Sequence, residues 1–453
     1  MAQHKLRGRE GRVSAPVKLA MLLAGLAFAN LLPINSQAQT SGLVGLRTAT
    51  APAAANTWPV VASAVSLDSG PDQATLTFDL SGPVKVGSFA LAAPDRIVID
   101  LPDVDFRIGP EVGDEKPAHG GSGAIVASFR FGHFAPGKSR IVIDLTAPAR
   151  VVRAESVANR GQSRLVIDLA KTTRAAFQAA AHESWLTAEA AAGGATHTVP
   201  VKDEKSALPL IVIDPGHGGV DSGAIVDGLV EKDIVFAFAK QLAEKLSASG
   251  HYRVVMTRDS DVFLSLGERV RIAQDSGAAL FVSIHADTVS DAANVSGATV
   301  YTVSDHATDA EAARTAAKEN QADAAAGVSA DDAANGVSDI LADLTRQETR
   351  AYSHVFARTL VNYWRVAGRL NKNPERAAGF RVLKAPDVPS VLIELGYLSN
   401  AKDAASLTSP QWRNATSAKV AVAIAAFFAV RAGNFGAEKQ PTATALDAPS
   451  EGK

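Results

Sequence analysis

Leu210-Ile-Val-Ile-Asp-Pro-Gly-His-Gly-Gly219 opens on a short apolar run, turns at Asp214-Pro215 and ends on a histidine set among glycines. The run reads as a buried strand. Pro215 stiffens the turn, and the glycines permit a tight backbone and the close approach of another group to His217. Ala279-Leu-Phe-Val-Ser-Ile-His-Ala-Asp287 repeats the arrangement and carries His285 out of the end of a second apolar strand. Between the two lies Glu231, in Gly228-Leu-Val-Glu-Lys-Asp233. Much later, Val391-Leu-Ile-Glu-Leu-Gly396 places Glu394 after another apolar run, where a carboxylate is costly to bury without a partner. Two imidazoles and a carboxylate are the ligand set of a catalytic zinc that keeps one position for water. A further glutamate is the base that such water needs. Spacing and ligand chemistry therefore point to metal-assisted hydrolysis.

Outward from these strands, helices and strands alternate. Asp233 to Ser247 predicts an amphipathic helix with Ile234, Phe238, Leu242 and Leu246 on one stripe. Val254 to Met256, Gly297 to Val303 and Val391 to Glu394 predict further strands, Leu266 to Ala273 a second helix and Gln411 to Val430 the last. Such alternation implies an α/β domain, a largely parallel sheet with helices on both faces and the site at strand ends. Upstream the pattern is all-β. The string Arg96-Ile-Val-Ile-Asp-Leu101 returns as Arg140-Ile-Val-Ile-Asp-Leu145 and Arg164-Leu-Val-Ile-Asp-Leu169. β-Branched runs separated by Gly and Pro point to a small sandwich over 58–170. Residues 171–207 read as a linker with a helical piece around Ala175 to Ala192, and 433–453 as a disordered tail.

Asp214-Pro-Gly-His-Gly-Gly219, Glu231-Lys-Asp233, Ser283-Ile-His-Ala-Asp287 and Glu394-Leu-Gly-Tyr-Leu-Ser-Asn400 together resemble the signature of zinc-dependent N-acetylmuramoyl-L-alanine amidases, in the family's order and across 208–432. The resemblance implies hydrolysis of the amide between the lactyl group of N-acetylmuramic acid and the L-alanine of the peptidoglycan stem peptide. It implies Zn2+ on His217, Glu231 and His285, with Glu394 as the general base. Asp214 and Asp287 are candidate partners for the ligand imidazoles, a support such sites need. Residues 58–170 are similar to the AMIN module found before such amidases, a β-sandwich implicated in localising to peptidoglycan. Arg130, Arg140, Arg150, Arg153 and Arg164 are its candidate contacts with wall carboxylates.

More chain lies between His285 and Glu394 than a minimal domain of this kind needs. The insertion, 305–345, is Ala-rich and charged at first, with good helix propensity around Ala310 to Asp323 but little to bury, so a weakly docked helix is expected. It is similar to the regulatory helix of the cell-division amidases of Gram-negative bacteria, which covers the zinc until an activator displaces it. Lys318-Glu-Asn320 makes Glu319 the candidate plug, with Glu311 its rival, and the resemblance implies a LytM-type activator as partner.

Composition sets the remaining bounds. The chain has 453 residues, enough for two or three domains, and 47% are hydrophobic, so full cores are available. Its net charge of -2 gives no signal for nucleic acid. With no cysteine, disulfides and thiolate ligands are excluded and His and carboxylates remain as metal donors. Lys5, Arg7, Arg9 and Arg12 precede an apolar run from Leu19 to Leu32 and then Ser36-Gln-Ala38. This predicts a signal peptide over 1–38, a linker over 39–57 and an exported, periplasmic protein with no transmembrane anchor after cleavage.

Overall fold

In a computed structural model, residues 59–114, 123–159, 162–191, 208–289, 295–328 and 340–431 are described. The signal, the first linker, the tail and part of the insertion lie outside them. Among the described residues, nine strands precede the first α-helix: β1 (Val60–Ser69), β2 (Gln73–Leu80), β3 (Gly87–Leu91), β4 (Arg96–Pro102), β5 (Val104–Phe106), β6 (Val126–Ala135), β7 (Lys138–Leu145), β8 (Ala149–Asn159) and β9 (Gln162–Lys171). They form two sheets, β5-β1-β2-β9-β8 and β3-β4-β7-β6, packed face to face. Period-two alternation sets the inner face: Ile97, Ile99, Ile141, Ile143, Leu165 and Ile167 all enter one core. The three repeated strings are thus β4, β7 and β9. Because β4 and β7 run antiparallel, each string's arginine faces the other's aspartate, Arg96 opposite Asp144 and Asp100 opposite Arg140.

The following stretch is less of a tether than its composition suggests. Helix α1 (Arg174–Ala191) sends Phe177 and Ala181 into the sandwich core, so its first turns belong to the sandwich.

The α/β part begins with β10 (Leu210–Pro215), a short hairpin of β11 (Ile225–Val226) and β12 (Leu229–Val230), and α2 (Glu231–Ala248). It continues through β13 (Arg253–Met256), α3 (Leu266–Asp275), β14 (Leu280–His285), β15 (Ala298–Val303), α4 (Ala310–Glu319), α5 (Ala322–Ala325) and α6 (Ile340–Trp364). The chain closes with β16 (Leu370–Ala378), β17 (Ser390–Glu394), α7 (Ala401–Leu407) and α8 (Pro410–Arg431). The sheet order is β13-β10-β14-β17-β15-β16, parallel at every junction except β15 against β17. Both faces are covered, which is why the strands are continuous apolar runs. Ile211, Ile213, Val282 and Ile393 pack under α2, α6 and α8, while Val212, Phe281 and Leu392 pack on the other side under α3 and α4. Each large side chain so buried contributes about 1.5–3 kcal/mol.

Two elements depart from expectation. Strand β16, Leu-Asn-Lys-Asn-Pro-Glu-Arg-Ala-Ala, lacks an apolar run because it lies at the sheet edge, where Pro374 is tolerated. Helix α4 is firmly docked: Asp309 caps it by accepting from Ala312 N (2.9 Å), and Ala312, Thr315, Ala316 and Glu319 are buried. Its buried face is built of small residues, which give little hydrophobic signal yet allow close approach to the core containing Tyr301 and Phe380.

Candidate active site

Parallel register brings three strand ends together. β10 lies beside β14 and β14 beside β17, with His285 directly opposite Glu394. The turn after β10 places His217 at φ 57, a left-handed conformation that costs a β-carbon-bearing residue about 1–3 kcal/mol and is held only by strong surroundings. Those surroundings are two buried arginines. Arg258 donates to the carbonyls of Pro215 (3.1 Å) and Gly216 (3.1 Å), and Arg269 to those of Pro215 (2.9 Å) and His217 (2.8 Å). At Gly216 a β-carbon would stand 2.4 Å from His285 Cε1, so no other residue lets the two histidines approach.

The imidazoles cross edge-to-face, 4.9 Å between centroids. Glu231 is the first residue of α2, fully buried, where the positive end of the helix dipole favours a carboxylate. Its Oε2 accepts from Ala224 N and its Oε1 from Ala286 N, both at 2.9 Å. Oε1 also stands 3.2 Å from His217 Nε2 and 3.3 Å from His285 Nδ1. Glu319 completes the group from the end of α4, its Oε2 3.0 Å from His285 Nδ1 and 3.5 Å from His217 Nε2. Glu311 does not take part, pairing instead with Arg376 at 3.0 Å. Glu394 is buried beside this group: Oε2 accepts from Asp287 N (3.0 Å), while Oε1 has no partner.

Donor chemistry and spacing fit a zinc ion. His217 Nε2 and His285 Nδ1 are buried without a hydrogen bond, an arrangement that is costly unless a cation answers them. Four donors on a tetrahedron with bonds of roughly 2.0–2.1 Å stand about 3.4 Å apart. The four nitrogen–oxygen separations, 3.0–3.5 Å, bracket that edge.

The electrostatics agree. Burial works against an imidazolium at His217, but Asp221, Glu231 and Glu319 outweigh it and hold its pKa well above the ordinary value. Burial likewise opposes charge on His285, yet Glu319 and Glu231 raise it to about 10. Burial pushes the Glu231 carboxyl up, and the two imidazoles more than reverse this, leaving it well below the usual range. Burial and the negative charge of Asp287 raise the Glu394 carboxyl well above its ordinary value.

The sequence-based assignment of imidazole partners needs correction. Asp214 points away from both rings, accepting from Thr257 Oγ1 (2.6 Å), Ser283 Oγ (2.7 Å) and Arg269 Nη1 (2.7 Å) to tie three elements under the loop. Asp287 pairs with Lys318 of α4 and touches neither ring. The partner of His217 is Asp221, whose Oδ2 lies 2.9 Å from Nδ1 and leaves Nε2 facing Glu231 and Glu319. Only a spacing of four residues within a glycine-rich turn hinted at it.

A profile of the N-acetylmuramoyl-L-alanine amidase family matches residues 211–426, and one of the AMIN domain matches 64–169. AmiC of Escherichia coli O6:H1 is 30% identical over 78% of this chain and 86% of its own length. AmiC of Neisseria meningitidis serogroup B is 32% identical over 76% and 85%, and AmiA of E. coli K12 is 33% identical over 51% and 80%. The chain belongs to the N-acetylmuramoyl-L-alanine amidases. It is a cell-wall amidase with an α/β catalytic domain that follows an AMIN domain. Most of the arginines proposed for wall contacts in that AMIN domain already have partners: Arg130 with Asp144, Arg140 with Asp100, Arg153 with Asp168 and Arg164 with Asp79.

In this amidase the α4 segment closes the site. Besides Glu319, Lys318 bonds Thr288 Oγ1 (2.9 Å), and Asn320 donates to Gly379 O (2.9 Å) and accepts from Arg381 N (2.8 Å). The space left beside His217, His285 and Glu319 is ≈ 10 Å³, about what one water needs and far too little for a stem peptide.

Proposed function

We propose that the chain is a zinc-dependent, exported amidase held in a closed state by Glu319, and that His217, Glu231 and His285 are its metal ligands. The convergence of His217 Nε2, His285 Nδ1, Glu231 Oε1 and Glu319 Oε2 at tetrahedral spacing carries this reading. Bound zinc supplies Lewis acidity and lowers the pKa of a coordinated water towards neutrality. The chain's own groups do the rest. Glu231, anchored by two backbone N–H groups, and Asp221 behind His217 hold the ligands rigid. Glu394, with one oxygen fixed by Asp287 N and the other free, receives a proton from the attacking water. Its raised proton affinity suits it to carry that proton to the leaving L-alanine nitrogen.

Glu319 takes the ligand position that water requires, so substrate hydrolysis awaits withdrawal of α4. An activator, for which the LytM type is the candidate, would drive that withdrawal, in the periplasm and during separation of daughter cells. Mass spectrometry of sacculi digested with the zinc-loaded protein tests the reaction. Intact stem peptides beginning at L-alanine, beside glycan stripped of peptide, are expected. Fragments cut within the stem would instead identify a zinc peptidase.

A further inference from the structure

The repeated strings of the AMIN domain have a use that the amidase reaction does not explain. Alternation along β4 and β7 turns Val98 and Val142 away from the sandwich core, on the same face as Arg96 and Arg140. A strip of this kind should lie open to water, yet Val98 and Val142 are 0% exposed, Arg96 2% and Arg140 6%. The covering chain is the stretch just after the plug. Arg96 donates to the carbonyl of Ala324, and Arg140 to those of Ala326 (3.2 Å) and Gly327 (3.5 Å). Gly327, at φ +70, lies so close that a β-carbon would stand 2.9 Å from Val98 Cγ2 and 3.3 Å from Val142 Cγ2. Arg164, in the third string, stays on the solvent side with Asp79, so the two buried arginines are a feature of this face and not of the repeat.

The same sheet also meets the loop of the first histidine. His133 O accepts from Val220 N (3.0 Å), three residues after His217, and Phe134 stacks on Phe263 at 5.8 Å. Val142, Val220, Phe263 and Ala326 thereby form one small core shared by sandwich, histidine loop and inhibitory segment.

We propose that this face of the AMIN domain is the latch of the inhibitory segment: Arg96, Arg140, Val98 and Val142 grip residues 324–327 and so keep Glu319, five residues earlier, against the histidines. The inference rests on the reading of Glu319 as plug. Opening then requires the sandwich to release the segment, which couples the position of the AMIN domain to activity.

The test uses the zinc-loaded full chain, with release of dye-labelled fragments from sacculi as one readout and hydrogen exchange of residues 310–328 as the other. The latch variant Arg96→Ala/Arg140→Ala should exchange faster in that segment and raise basal activity by roughly 5- to 150-fold, the usual range for coupling between sites. On the Glu319→Ala background, where the other contacts of α4 remain, the same pair should still speed exchange in residues 310–328. Should loss of the arginines unfold the sandwich by circular dichroism, Gly327→Val breaks the contact from a segment outside both domain cores and must give the same result. Activation by Glu319→Ala with no effect of either latch variant overturns the latch and leaves the plug standing. An inert Glu319→Ala overturns the plug reading, and with it the latch as a guard of the site.

Discussion

Asp221→Ala should weaken zinc binding without touching a ligand. Asp221 is 7% exposed at its side chain and holds His217 Nδ1 at 2.9 Å, while its other oxygen accepts from Gly223 N at 3.2 Å. Removing such a carboxylate behind a ligand histidine costs about 10- to 100-fold in metal affinity, or ~1.4–2.7 kcal/mol. Alanine also abandons the Gly223 donor, so the upper end is expected for it. Asp221→Asn, which keeps an acceptor but not the charge, should fall near about ten-fold. A pH dependence follows. Asp221 is the largest of the charges that raise the His217 pKa, so its removal lowers proton competition at the ring as well as the ring's affinity for metal. The deficit against the unaltered protein should therefore be largest at alkaline pH and shrink on acidification. Titration against a chromophoric chelator at several pH values measures it. Zinc affinities of both variants within about two-fold of the parent at alkaline pH would refute the positioning role.

Glu394→Gln should retain zinc and lose activity by at least about 10²-fold, the usual contribution of a positioned base, as measured by dye release from sacculi on the Glu319→Ala background. Retained activity would remove Glu394 from the reaction. Asp214→Asn leaves Arg269 buried without its charge partner and should destabilise the fold by about 3–5 kcal/mol near neutral pH in denaturant melts. The Arg269 charge, with the Thr257 and Ser283 hydroxyls, outweighs burial and depresses the Asp214 pKa below 3.8, so its contribution is complete above that value. It is lost as pH falls through the lower folded-state pKa, and the two proteins should converge there. Glu319→Ala should raise basal activity and keep its thermal midpoint within a few degrees. Deletion of 306–336 should gain activity but lose stability, because Ala312 and Ala316 are part of the core around Tyr301 and Phe380. Equal midpoints for the two would contradict the docking of α4.

Residues on regular strands were the most legible. His217, His285 and Glu394 each come at the end of an apolar run, and parallel register carries such run ends to one end of the sheet. Glu231 was placed by resemblance, since nothing in Gly-Leu-Val-Glu-Lys-Asp distinguishes a buried helix start from a solvated one. Asp221, Arg258 and Arg269 escaped notice for a different reason. Their partners are loop atoms, in the arginines' case carbonyls some 40 to 55 positions away, and no periodicity records such a contact. The docking of α4 was hidden because alanines and a threonine bury well while scoring as weakly apolar. In the sandwich, Arg-Ile-Val-Ile-Asp-Leu announced strands, but only the covering of the outer face shows why two of its three arginines are buried.

Four side chains should meet at one metal. The direct measurement is an anomalous-scattering map at the zinc edge from crystals of the zinc-loaded full chain. A single peak at roughly 2.0–2.2 Å from His217 Nε2, His285 Nδ1, a Glu231 oxygen and a Glu319 oxygen is predicted, with water replacing Glu319 in Glu319→Ala crystals. A peak bound by other residues, or one that leaves Glu319 out of the coordination sphere, would contradict it.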